Sequence, residues 1–158
     1  MRKVLSIVCC ALLLAAGTAV GQKEPSKVLP TLKITSPDMG ANVSGESVKV
    51  SWVSSGVKIV AAAAAKAREE GHFHVFVDRE DFKPGVEIPR DMEKEGIYHT
   101  AANSLELKGL KPGAHKVIVV LSYDNHIPWD PLVTATVTFT VTGTKAPAGT
   151  GGGGQSSY

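Results

Sequence analysis

From Val133 the chain reads VTATVTFTV, apolar side chains and threonines in strict alternation up to Val141. Successive side chains of an extended strand point to opposite faces, so this run can bury one face and wet the other. Its β-branched residues also disfavour a helix. The same period of two recurs in Leu32-Lys33-Ile34, Val48-Lys49-Val50-Ser51-Trp52, Phe73-Val75-Val77 and Leu105-Glu106-Leu107. His115 to Tyr123 is apolar on both faces, as a central strand is. Turn-forming residues lie between the runs, as in Ser36-Pro37-Asp38-Met39-Gly40 and Gly109-Leu110-Lys111-Pro112-Gly113. The pattern predicts an all-β fold, an immunoglobulin-like antiparallel β-sandwich of about seven strands over residues 31–142. Trp52 is expected in its core. Two segments break the alternation. Ala61 to Glu70 is rich in helix formers and reads as a loop with a helical turn. Arg79 to Gly96 is charge-rich and holds Pro84 and Pro89, so it reads as a long loop. Such a loop is either a solvated excursion or part of a site.

The ends differ in kind from this unit. Arg2 and Lys3 precede an apolar run from Val4 to Ala16, followed by the small residues Gly17-Thr18-Ala19-Val20-Gly21. That order predicts a signal peptide over residues 1–21. Its apolar core falls short of the ~20 residues that a membrane span needs. Residues 22–30 read as a flexible leader, and 143–158 as a disordered Gly-rich tail. The chain is therefore expected to be exported, to the periplasm or beyond the cell, with no membrane span after cleavage. Cys9 and Cys10 leave with the signal, so neither a disulfide nor a thiolate metal ligand remains. Loss of Arg2 and Lys3 takes the formal charge from +2 to zero, which gives no electrostatic case for nucleic acid.

Chemistry is concentrated in the five histidines. Residues 71–78 read GHFHVFVD. In a strand His72 and His74 share a face, with Phe73, Val75 and Val77 on the other. In an immunoglobulin-like sandwich this strand would be the third and His115–Tyr123 the sixth, antiparallel neighbours in one sheet. The start of one then meets the end of the other. His72 and His74 are thus expected near His126 in the loop DNHIPWDP, whose Asp130 could also reach the rim. His115 is expected at the far end. His99, in IYHT after the long loop, is a further candidate that sequence alone does not place. Two imidazoles on one face with a third from a loop suit Cu(II) or Zn(II). Otherwise the pair packs across strands on a half-exposed face. The chain carries no Gly-x-Ser-x-Gly, no cysteine nucleophile beyond the signal and no Gly-rich phosphate loop. Asp78, Glu80 and Asp81 read as solvated charge on a turn. No catalytic residue is assigned, and no enzyme is expected. The competing readings are a binding domain for a metal ion or small polar ligand, and a structural or interaction module. In the second, the Trp129 loop or a sheet edge would contact an envelope protein.

The ordered patterns Ser36–Val43, GHFHVFVD, IPRD, LKPGAHKVIVVL and NHIPWDPLVTATVTFTV resemble a bacterial exported family, that of domain of unknown function 4399. The resemblance covers about residues 34–142 and implies the fold and export, with no assigned activity. Gly71, His72, His74 and Asp78 match the family's strand. Pro112, Gly113 and His115 match a second pattern, and His126, Pro128, Pro131 and Val133 match its turn. Phe73 and Trp129 stand where the family has histidines, so the resemblance implies two candidate ligands fewer here.

Overall fold

A computed structural model describes residues 29–45, 47–61, 70–90 and 92–143. The expected signal peptide, nearly all of the expected leader and tail, and residues 62–69 of the expected helical turn lie outside them. Among the described residues nine strands form two sheets. They are β1 (Thr31–Ser36), β2 (Ala41–Ser44), β3 (Ser47–Ser55), β4 (Lys58–Ile59), β5 (Glu70–Val77), β6 (Ile97–Thr100), β7 (Ser104–Lys108), β8 (Gly113–Ser122) and β9 (Thr134–Thr142). One sheet has the order β1-β3-β7; the other runs β2-β9-β8-β5, with β4 and β6 both on the outer edge of β5. The strands additional to the six periodic runs are β2, β4 and β6, of two to four residues each, too short to show a period. Once these are counted, the pair expected as third and sixth is β5 and β8. They do run antiparallel, with His72 opposite Ser122.

The two sheets close on one apolar core. Val48, Val50, Trp52 and Leu107 of the small sheet meet Phe73, Val75, Val117, Val119, Leu121, Val137 and Phe139 of the large one. Trp52 meets Phe73 edge-on, with ring centroids 5.5 Å apart, so it is the anchor that its alternating strand implied. β9 alternates buried and exposed residues, as its threonines require.

The large sheet departs from a two-layer sandwich on its outer face. Phe76, Ile118 and Val120 point away from the core, yet all are buried, together with Ile97 and with Ile88 of the long segment. Most described residues of 79–96 are exposed, yet Ile88, with Phe82 and Met92 packed against the same cluster, covers part of this face, and the Ile88 amide donates to the His126 carbonyl at 2.9 Å. Six consecutive residues of β5, Gly71 to Phe76, are buried. Gly71 is required by close approach: a Cβ there would lie 2.5 Å from the Ser122 carbonyl oxygen and 3.1 Å from the Trp129 ring.

Candidate metal centre

The alternation of β5 puts His72 and His74 on the covered outer face, and the ladders bring partners to them. Ser122 of β8 lies opposite His72, and His99 of β6 lies directly opposite His74. His126 comes from the turn after β8, where its amide donates to the Tyr123 carbonyl at 3.0 Å. Its φ of 62° is left-handed, unusual for a residue with a side chain. His72, His74 and His126 are 0, 0 and 1 % exposed, so the face is closed rather than half-exposed as the packing alternative assumed. His99 alone of the four is exposed.

The four rings converge. His74 Nε2 lies 3.1 Å from His72 Nε2 and 3.1 Å from His126 Nδ1. One nitrogen from each of the four histidines lies within 4.8 Å of all the others. Tetrahedral bonds of about 2.0–2.1 Å set nitrogens about 3.3 Å apart, so the set can close on an ion by small side-chain rotations. Each N···N contact holds one proton at most, which leaves inward lone pairs in the cluster. His72 Nδ1, His74 Nδ1 and the Ser122 hydroxyl are buried with no hydrogen-bond partner. Leaving such a group unpaired costs about 1–3 kcal/mol.

The electrostatics favour neutral imidazole. Burial, then the neighbouring His99 and His126, then the Arg90 guanidinium, lower the pKa of His72 to about 3. Burial and the same neighbours, with His72 added, lower that of His74 to about 2. His126 is lowered by burial, Arg90 and His99, against an opposing pull from Glu87 and Asp124. Neutral imidazoles with converging lone pairs are what a metal ion requires.

His115 lies at the other end of β8, as expected, and outside the cluster. Its Nδ1 donates to the Asp78 carboxylate and its Nε2 to the Lys111 carbonyl, both at 2.7 Å. Although burial opposes it, these two acceptors raise its pKa. Asp78, Glu80 and Asp81 are exposed charge, as expected, and pair at the surface with His115, Lys116 and Arg79. Asp130 is exposed and stands outside the histidine group. Trp129 is 3 % exposed and stacks on Tyr123 at 4.3 Å, so it is a core residue and not a docking side chain. Phe73 points into the inter-sheet core, where a histidine could not join His72 and His74. The departure at Phe73 thus removes no ligand from this cluster. Sequence reasoning missed Ser122, Ile88 and Arg90. The ladder partner of His72 could have revealed Ser122, but a lone isoleucine among charges gives no signal.

The family profile described as domain of unknown function (DUF4399) matches residues 50–142. Among curated proteins none matches. Among solved structures the chain is similar to a fibronectin(III)-like module of CbhA from Clostridium thermocellum, at 19% identity, TM-score 0.43, and coverage of 73% of this chain and 100% of that one. It is also similar to the PKD domain of human KIAA0319, at 16% identity, TM-score 0.40, and coverage of 83% and 97%. Among the described residues no helix is long and apolar enough to cross a membrane.

Proposed function

The chain belongs to the family of domain of unknown function DUF4399, whose description assigns no chemistry, and from the site itself we propose an exported, non-catalytic domain that holds a copper or zinc ion on His72, His74, His126 and His99. An immunoglobulin-like domain of this kind fits a binding or structural module. The observation that carries the metal reading is the convergence of four imidazole nitrogens, three of them buried. Burial lowers the pKa of two of these rings to about 3 and about 2, which favours the unprotonated form that a metal ion needs. Export to the periplasm or beyond rests on the order of charge, apolar run and small residues in 1–21.

A second reading follows from the same contacts. The pairs His72–His74 and His74–His126 are hydrogen-bonded to one another, which lets the cluster be a self-contained polar knot in a structural module. Calorimetric titration with Cu(II) and Zn(II) separates the two. The metal reading expects one ion per chain, a loss of at least 100-fold in affinity for His74→Ala or His126→Ala, and no change for His115→Ala. Equal heats in all four proteins would leave only the structural reading.

A further inference from the structure

Resting on the metal reading above, we infer that the centre is built for a singly charged coinage-metal cation, copper(I) with silver(I) as its redox-inert probe, in preference to zinc(II). Three features of the cluster carry this. Among the described residues every candidate donor is an imidazole, so the set supplies no negative charge. A bound monovalent ion leaves a total charge of +1 and a dication +2. The cost of burying charge rises with its square, about fourfold between the two.

The groups behind the donors point the same way. Histidines that hold zinc ordinarily pass their second ring N–H to a carboxylate or carbonyl, which makes the ligand more basic and offsets the metal's charge. Here the outer nitrogens of the two most buried rings, His72 Nδ1 and His74 Nδ1, have no partner. Among the described residues, the charged side chain acting on these two rings from outside the cluster is Arg90, which is positive. Glu87 and Asp124 act on His126, and Glu87 is itself exposed and paired with Arg90 at 3.7 Å. Among the described residues the interior of the centre is thus a buried, neutral nest of nitrogen lone pairs, with no carboxylate acting on its two most buried rings.

Coordination number agrees. Monovalent coinage ions are content with two or three nitrogen donors, and the buried trio supplies three at its 3.1 Å contacts. Zinc asks for four and must draw in the exposed His99.

The test is competitive titration of the purified protein at pH 7 in chloride-free buffer. The probes are Ag(I), Cu(I) held in acetonitrile under nitrogen, and Zn(II). Both monovalent ions are expected to bind at least ten-fold more tightly than Zn(II), and His126→Ala should abolish that tight binding. Zinc that matches or exceeds either monovalent ion overturns the preference while the metal reading stands. Tight silver binding that survives in both His126→Ala and His74→Ala places it elsewhere and overturns the assignment. If none of the three ions binds, this inference and the metal reading fall together.

Discussion

The β5–β8 ladder carries histidines at both ends, and the two ends treat the same side chain in opposite ways. At one end, among the described residues, His72 and His74 have one another, two further imidazoles and the Arg90 guanidinium, and burial disfavours their protonated forms. At the other, His115 sits between a carboxylate and a carbonyl and keeps its proton to a higher pH than usual. Burial lowers the charged form in both cases; what differs is whether an acceptor waits for each N–H. An imidazole without acceptors becomes a ligand in waiting, and one with two becomes a structural cation.

The largest effect expected from this contrast is on acid stability. With folded pKa values below the unfolded 6.5, the unfolded chain takes up protons that the folded cluster refuses. Stability is therefore whole above pH 6.5 and is lost as pH falls from there toward about 3. The loss should be on the order of a few kcal/mol. Urea midpoints measured between pH 7.5 and 4 should fall steadily, and His74→Leu should flatten the slope. A level profile in the wild type would break the comparison at its stronger end.

A smaller effect tests how closely the cluster end is drawn together. Gly71→Ala places a methyl group 2.5 Å from the Ser122 carbonyl. The strands must separate beside His72, which should lower stability by about 1–3 kcal/mol. Denaturant unfolding reads this directly, and a change within error would mean that the spacing there is not tight.

The smallest effect belongs to the far end. Asp78 is half exposed, so His115→Gln should cost less than about 1 kcal/mol. Its pH signature has the opposite sign. A raised pKa gives stability that is present below 6.5 and lost as pH rises through the folded value. Subtracting the variant's pH profile from that of the wild type should show that step above 6.5. A step below 6.5 instead would make the two ends alike.

Much of this was legible in the residues, for identifiable reasons. Period two alone puts His72 and His74 on one face, and antiparallel pairing of the central strands brings His126 to them. His99 stayed unplaced because a long loop precedes a four-residue strand, and nothing in such a segment fixes its pairing. The cover over the outer face was hidden because its apolar contribution is a few isolated residues, Phe82, Ile88 and Met92, with no period between them. Counting missing histidines by family position also misled. Position 73 faces the core by alternation, so its content says nothing about the cluster.

The burial of β5 on both sides has a consequence for how the chain avoids folding wrongly. A strand with one wet face announces its orientation through that face, but here neither side meets water along Gly71–Phe76. Greasy side chains alone would tolerate a slip of one residue against β8, since Phe73 could lie under the cover as well as Phe76 does. The two imidazoles would not tolerate it. Such a slip would thrust them beside Trp52 into a space lined by hydrocarbon, away from every nitrogen that now meets them. With or without an ion, the histidines act as a proofreading mark, making the misaligned sheet a state the chain does not keep.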